Sequence, residues 1–321
     1  MNRPPLARIS HHLTAQAHDR CATTSFRSIV VLSGPSSTPP RANHRPPRID
    51  APLTHFRSPR GGKCGLVLAF LLALTPAFGA DSAANAYENG IRHFVAENYS
   101  KAQQSFEQAV RAEPENADYR VWLGRAYGRR AERNSGLKIF SSYGLARKTR
   151  SSFEQAVELD PKNLNALESL FSYYLEAPGI VGGGASKARQ IAKQIDGVDE
   201  ARGARAWAAH YESRRKFDDA EAALEKARRL EPDDIGHLLS QASYLARRGW
   251  SENADELFEV ALKNHPDNPE VWFARAKALI RAEREAKYDE ARELLKRYLA
   301  TPLVEPDAEP YSNVRKLLKE I

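Results

Sequence analysis

Cysteine is almost absent from this chain. The only two, Cys21 and Cys64, both lie before residue 80. Residues 80–321 therefore contain no thiol, which excludes disulfide bonds, thiolate metal sites and cysteine nucleophiles from that part of the protein.

Recognisable catalytic signatures are also absent. The sequence has no Gly-x-Ser-x-Gly, no His-Glu-x-x-His and no paired-carboxylate pattern. Four histidines follow residue 80, in separate parts of the chain, and no acidic motif joins them. They are His93, His210, His237 and His265. We therefore expect a protein that is not an enzyme and that binds neither a metal nor a cofactor.

The body of the chain lacks an excess of charge of either sign. The net charge is +7 at pH 7, but residues 1–63 carry ten Lys and Arg against two acidic residues. Residues 80–321 hold 38 basic and 39 acidic side chains. Such a body has no dense basic surface, so we do not expect nucleic acid as a partner.

The longest apolar run is too short to span a membrane. It covers residues 64–74 (CGLVLAFLLAL), after a basic flank and before TPAFGA, where we expect the helix to break. A span needs roughly 20 residues, whereas this three-part pattern over residues 57–80 is typical of a secretory signal peptide. Cleavage after Gly79 would leave a periplasmic or secreted body without a membrane span. A buried helix over residues 64–74 is the alternative.

The segment before this run has little to bury. Residues 1–56 are rich in Arg, Pro, Ser, Thr and His, which predicts a disordered leader or a wrongly assigned start. We expect residues 81–321 to form the folded domain.

A repeated pattern dominates the folded part. Each copy has a small residue, a large apolar residue four positions later, Ala three further on, and in most copies Pro five beyond. The four clearest copies are Ala102/Phe106/Ala109/Pro114, Thr149/Phe153/Ala156/Pro161, Ala220/Leu224/Ala227/Pro232 and Ala254/Phe258/Ala261/Pro266. Spacings of four and three place the apolar residues on one helical stripe, and Pro ends the helix.

Each copy of this pattern lies on the second helix of a unit, and the first helix of that unit precedes it by about fifteen residues. Its marks are Gly90 and Phe94, WLGRAY at residues 122–127, Trp207 and Tyr211, and Trp272 and Ala276. The last two copies of the pattern are 34 residues apart throughout, which predicts two antiparallel helices in each unit of about 34 residues.

These residues resemble the tetratricopeptide-repeat family over about residues 85–300. The resemblance implies an all-α, right-handed superhelical solenoid of five to six helix hairpins. We expect PDAEPYSNVRKLLKEI at residues 306–321 to supply a C-terminal capping helix. Three units depart from the pattern. The second has about thirteen extra residues, expected between its helices. The third lacks the closing Pro, and the sixth runs about three residues long and also lacks it.

A glycine loop in the third unit offers a different function. In APGIVGGGASK, Gly179 and Gly184 have the spacing of a phosphate-binding loop. Ala185 stands where a Lys is required, however, and helix rather than strand is predicted before the loop, so a turn between helices is favoured over nucleotide binding.

The resemblance also implies a concave groove lined by the first helix of each unit. The positions expected to face it are Tyr87, Phe94, Arg125, Arg129, Glu168, Ser172, Arg202, Arg205, Ser243, Arg247, Phe273 and Lys277. Their basic character predicts an acidic or C-terminal segment as ligand. Arg125 and Ser172 stand where family members that clamp a terminal carboxylate carry Asn.

The sequence therefore predicts a scaffold that binds a protein or peptide partner in this groove. A nucleotide-binding or enzymatic protein using residues 179–184 is one alternative, and a structural component of an envelope assembly is another.

Overall fold

The computed structural model describes residues 75–133, 139–302, 306 and 308–321. These residues form six helix hairpins followed by one helix, with no β-strand among them, so the all-α prediction is confirmed. The helices are α1 (Thr75–Val95), α2 (Tyr99–Ala112), α3 (Ala117–Arg133), α4 (Ile139–Leu159), α5 (Leu164–Glu176), α6 (Ala185–Val198), α7 (Glu200–Ser213), α8 (Phe217–Leu230), α9 (Ile235–Arg247), α10 (Ser251–Asn264), α11 (Pro269–Arg281), α12 (Tyr288–Ala300) and α13 (Tyr311–Leu318). The predicted leader at 1–56 and the apolar run at 64–74 lie outside the described residues.

The repeated small and large residues form the core between paired helices. Ala102, Phe106 and Ala109 are fully buried in the first hairpin. The equivalent positions of the second, fourth and fifth hairpins are at most 5% exposed. Each large side chain buried in this way stabilises the fold by about 1.5–3 kcal/mol relative to an exposed one. The stripe predicted from spacing alone is therefore the packing surface of each second helix.

Short polar signals separate one hairpin from the next. Four of the second helices end two residues before a Pro, as predicted. Two residues after each of these prolines, Asn or Asp caps the following helix. Asn163 and Asp234, for example, accept hydrogen bonds from the backbone N–H groups of Ala166 and His237 at 2.9 Å each. These side chains satisfy N–H groups that the helix itself leaves without partners.

The chain passes from the third hairpin to the fourth without a Pro. Asp199 ends α6 and also caps α7, accepting a hydrogen bond from the backbone N–H of Arg202 at 2.8 Å. One residue thus takes the place of the usual linker.

Two expectations about helix length are wrong. The extra residues of the second unit do not all lie between its helices, because α4 is extended to 21 residues and starts at Ile139. Segment 75–80, which we expected to break the helix, is the start of α1. Its Pro76 lies in the first turn, where the missing N–H has no helical partner to lose.

The predicted capping helix is confirmed as α13. It packs against α12 through Val314, which is fully buried. No helix among the described residues combines the length and the apolar character that a membrane span needs.

Candidate functional site

A cavity of about 520 Å³ lies on the concave side of the solenoid. Its lining comes from the first helices of four successive hairpins, α5, α7, α9 and α11, with Leu224 of α8 at its floor. We call it the channel. Stacking of similar hairpins brings the same face of each first helix to this surface.

The lining repeats with the period of the sequence. Arg205, Leu239 and Phe273 lie at positions 34 residues apart, and all three line the channel. The same spacing relates Ala209, Ser243 and Lys277, and again Ser213, Arg247 and Arg281. Three helix positions thus recur in the lining, each in three consecutive hairpins.

The structure brings together five of the predicted groove residues. Arg205, Ser243, Arg247, Phe273 and Lys277 all line the channel. They belong to the fourth, fifth and sixth hairpins.

Two predicted groove residues of the first hairpin lie outside the channel. Phe94 is buried in the first core, with its ring centroid 5.4 Å from that of Trp122, so its prediction as a groove residue is wrong. Tyr87 stacks on Tyr119 with ring centroids 5.0 Å apart. Neither residue lines the channel.

The predicted arginines outside the channel are engaged within the protein. Arg125 lies over the Trp122 ring, 4.6 Å from its centroid, and is buried. Arg129 is buried in an ion pair with Glu132 at 3.2 Å. These two guanidinium groups therefore stabilise helix packing.

A buried carboxylate holds two further arginines. Glu168 of α5 accepts a hydrogen bond from Arg205 at 2.9 Å and lies 3.8 Å from Arg202. Ser172, one turn further on, is also buried. Of this group only Arg205 reaches the channel.

Sequence reasoning missed four charged residues of the channel, Glu176, Glu212, Glu270 and Arg281. Arg281 could have been found, because it lies 34 residues after Arg247. The three glutamates have no acidic residue 34 positions before or after them, so the repeat does not mark them.

The charges in the channel are unevenly paired. Arg247 donates two hydrogen bonds to the carboxylate of Glu212, at 2.9 and 2.8 Å. Lys277 lies over the Phe273 ring, 5.2 Å from its centroid, and forms no ion pair with a described residue. Arg281 likewise has no carboxylate within ion-pair distance among the described residues. Burial lowers the pKa of both Lys277 and Arg281, and neighbouring guanidinium groups lower it further.

Glu176 does not neutralise these cations fully. Burial in the channel wall and the charge of Glu132 raise its pKa to about 8, and Lys277 opposes the shift. The side chain remains exposed to water in the channel, which screens part of this effect. A raised pKa weakens this carboxyl group as a counter-ion, so the cations retain capacity for an anionic group.

The glycine loop is a closed turn. The backbone N–H groups of Gly182, Gly183 and Gly184 donate to the carbonyl oxygens of Gly179, Pro178 and Tyr174 at 2.8–3.2 Å. A phosphate-binding loop needs such groups directed at the ligand. The loop therefore uses its N–H groups to join α5 to α6.

His237 lies beside two acidic residues, which no motif in the sequence indicates. Its Nε2 atom lies 3.0 Å from Glu231 Oε2, and one donor atom each of Glu231, Asp234 and His237 lie within 4.8 Å of one another. Asp234 caps α9, at the positive end of the helix dipole, a position that favours anions over cations. The arrangement is suited to anchoring the start of α9.

Comparison with known proteins gives the same repeat. A sequence model of the tetratricopeptide repeat matches residues 81–132, 205–269 and 239–308. No curated protein sequence matches at a significant level.

Several solved structures are similar to this chain. A tetratricopeptide-repeat protein of Parabacteroides merdae is 16% identical and aligns over 75% of this chain and 98% of its own, with a TM-score of 0.44. PilF of Pseudomonas aeruginosa is 14% identical and aligns over 74% of this chain and 99% of its own, also with a TM-score of 0.44. A tetratricopeptide-repeat protein of Thermus thermophilus is 19% identical, with 74% and 98% aligned and a TM-score of 0.40.

Proposed function

Because the chain belongs to the tetratricopeptide-repeat family, we propose that it is a protein-interaction scaffold that binds an acidic segment of a partner protein in its channel. It performs no catalysis and acts in the periplasm or the extracellular space.

The observation that carries this proposal is the pair of cations on one face of α11. Lys277 and Arg281 are one helical turn apart, line the channel and have no ion-pair partner among the described residues. Lys277 is half-buried and Arg281 is exposed beside it. Leaving a half-buried charge without a counter-ion costs free energy, and a partner carboxylate removes that cost.

The rest of the channel favours a peptide over a small ion. Apolar side chains, among them Leu175, Leu239 and Phe273, lie beside the cations. Such a surface binds the apolar parts of an extended segment while the cations fix a carboxylate.

The test compares two sets of synthetic decapeptides on the full chain. One set is rich in Asp and Glu, and the matched set has each acid replaced by Asn or Gln. We expect the acidic set to bind and its affinity to fall with added salt, because the cations are reached by water. The double variant Lys277→Gln/Arg281→Gln should bind roughly tenfold more weakly or worse, since a hydrogen bond to a charged group contributes about 1.5–3 kcal/mol.

The control variant is Lys101→Gln/Arg111→Gln. Both residues are exposed on α2, outside the channel, and the substitutions remove the same charge. Equal binding of acidic and amide peptides, or equal loss in the control variant, would contradict the proposal.

A further inference from the structure

The channel ends at the turns between the two helices of the fourth, fifth and sixth hairpins. Ser213, Arg247 and Arg281 are the last residues of α7, α9 and α11, and all three line the channel. The residue after each of them therefore belongs to a turn at the rim of the channel. A ligand bound at Arg281 meets these turns where it leaves the channel.

Two of these turns are basic. Residues 211–217 and 245–251 together carry five Lys and Arg and one acidic residue, Glu212. Glu212 is already bound by Arg247, which lines the channel. Four cations remain at the rim, and we call them the basic edge: Arg214, Arg215, Lys216 and Arg248. This local excess contrasts with the balanced charge of residues 80–321 as a whole.

Most of this charge is not neutralised within the protein. Arg214 and Arg215 are exposed, and no carboxylate of the described residues lies within ion-pair distance of them. Asp218 and Asp219, in the first turn of α8, offset part of the charge. Asp219 lies 3.7 Å from Lys216, but both side chains are more than half exposed, so water screens that pair. The edge therefore offers positive charge to an external anion.

Arg248 is held at the rim by aromatic side chains. Its Cζ atom lies 3.6 Å from the ring centroid of Phe217 and 6.0 Å from that of Trp250. Phe217 begins α8 and Trp250 precedes α10, so the contact joins two neighbouring turns. A guanidinium group stacked on a ring can still donate from its planar edge to a carboxylate. Trp250 is 42% exposed and adds apolar surface beside this donor.

We propose that the acidic partner segment continues out of the channel onto the basic edge, where a second group of its carboxylates binds Arg214, Arg215 and Arg248. This inference rests on the proposed function, which places the first acidic group at Lys277 and Arg281. Two observations favour this occupant: the edge continues the channel without a break, and its charge complements an acidic chain. Binding of the first group raises the effective concentration of the second at the edge.

The spacing of the two acidic groups follows from the stack of helices. α7, α9 and α11 lie in order in the wall of the channel. Packed helices are about 8–10 Å apart, which separates α7 from α11 by about 20 Å. An extended chain covers that distance with about six residues. The partner segment therefore carries two acidic groups about six residues apart.

The experiment extends one acidic decapeptide of the set described above by six residues. One extension carries four Glu and its matched form carries four Gln, and each is placed at either end of the peptide. We expect the Glu extension at one end to tighten binding to the full chain at least fivefold over the Gln form, because several exposed ion pairs add up. Added salt should reduce this gain.

The variant Arg214→Gln/Arg215→Gly removes two charges of the edge. Gly fits at position 215 because the backbone there has φ of 59°, and Gly249, 34 residues later, has φ of 80°. We expect this variant to lose most of the gain from the Glu extension and to bind the unextended decapeptide like the wild type. The control variant Lys101→Gln/Arg111→Gln should keep the gain. Thermal unfolding confirms that each variant is folded.

The outcomes separate the two proposals. If the decapeptide binds but the Glu extension adds nothing at either end, the basic edge is overturned and binding in the channel stands. The edge is also overturned if the gain survives in Arg214→Gln/Arg215→Gly or is lost equally in the control variant. If the decapeptide does not bind but its Glu-extended form does, through Arg214 and Arg215, the edge stands and the channel site is wrong.

A membrane surface is the competing partner for a basic edge with an exposed Trp. Vesicles of phosphatidylglycerol test it directly on the same variants. Vesicle binding that Arg214→Gln/Arg215→Gly abolishes, together with no gain from the Glu extension, would assign the edge to anionic lipid and overturn the proposal.

Discussion

Gly124 of α3 lies directly beneath the ring of Phe153 of α4. A Cβ atom added at Gly124 would lie 2.5 Å from the Phe153 Cε1 atom, well inside contact distance. The same relation exists one hairpin earlier, between Gly90 and Phe106 at 2.4 Å. The two helices of each of these hairpins approach closely because glycine leaves room for the phenylalanine ring.

We therefore predict that Gly124→Ala destabilises the protein by about 1–3 kcal/mol, because the buried ring must shift in a packed core. Gly144 on α4 is the matched control, since a Cβ there meets nothing within 4 Å. Gly144→Ala should stabilise by about 0.5–1 kcal/mol through helix propensity. Urea unfolding measures both values. A loss of stability in both variants would show that the close packing is not the cause.

Glu176 predicts a dependence of stability on pH. Its pKa is raised from 4.5 to about 8 in the folded protein, so the folded state binds a proton more tightly than the unfolded state. The stability from this group is complete below pH 4.5 and is lost as the pH rises toward 8 and beyond. Glu176→Gln should therefore be more stable than the wild type at pH 9 and equal to it near pH 4.

Thermal unfolding across this pH range checks the sign. Glu88→Gln is the control, because it removes an equal charge at an exposed position of α1. A Glu176→Gln profile parallel to that of the wild type would contradict the raised pKa.

A buried ion network joins the fifth and sixth hairpins. Arg275 is 3% exposed, binds the carboxylate of Asp255 and donates to Glu290 at 2.8 Å. Arg284 also reaches Asp255, at 2.7 Å. We predict that Arg275→Ala costs about 2–3 kcal/mol. Removing one partner of a buried pair costs about 3–5 kcal/mol, and Arg284 still compensates Asp255.

Acid titration provides a second readout of this network. Burial raises the pKa of Asp255, but hydrogen bonds from Arg275 and Arg284 outweigh it and hold that pKa below 3.8. The stability from this carboxylate is present above pH 3.8 and is lost as the pH falls through the lowered value. Arg275→Ala should therefore lose stability less steeply in acid.

The control for the network is Arg229→Ala. Arg229 is 68% exposed and lies 3.6 Å from Glu225 on the same helix. Exposed pairs of this kind contribute about 0–1 kcal/mol, so chemical unfolding should show little change. An equal loss in both variants would count against the buried network.

Asp234 offers a test of the cap at α9. Three other hairpins begin their first helix with Asn at the equivalent position, Asn116, Asn163 and Asn268. Asp234→Asn should therefore keep stability within about 0.5 kcal/mol, whereas Asp234→Ala should lose about 1 kcal/mol. Urea unfolding compares the two. A large loss in Asp234→Asn would show that the negative charge beside His237 matters more than the cap.

Much of the fold could be predicted from sequence because the same pattern of small, large apolar and Pro residues occurs in several hairpins. Small and large apolar residues at spacings of four and three, followed by Pro, specify a helix, its buried face and its end. The position of Phe106 or Phe258 in the core follows from that spacing, and the structure agrees. Helix length within the second unit did not follow, because the extra residues there continue a helical pattern that the repeat does not include.

The channel was only partly predictable. Equivalent positions of the first helices predict which residues face inward, and Arg205, Arg247 and Lys277 line the channel accordingly. The same rule fails for Phe94, which packs inside the first hairpin. Periodicity assigns a residue to a face of a helix, but neighbouring hairpins decide how much of that face remains open.

The sequence by itself determined that this protein is a stack of helix hairpins. The spacing of nearby residues is enough to place the apolar side chains of each hairpin on one helical face, without any contact between distant parts of the chain. Only the tertiary structure decided which charges are paired and how the stack curves. Glu97 meets Ser312, which lies 215 residues further along the chain, because small rotations between successive hairpins add up. No local sequence pattern specifies this accumulated rotation.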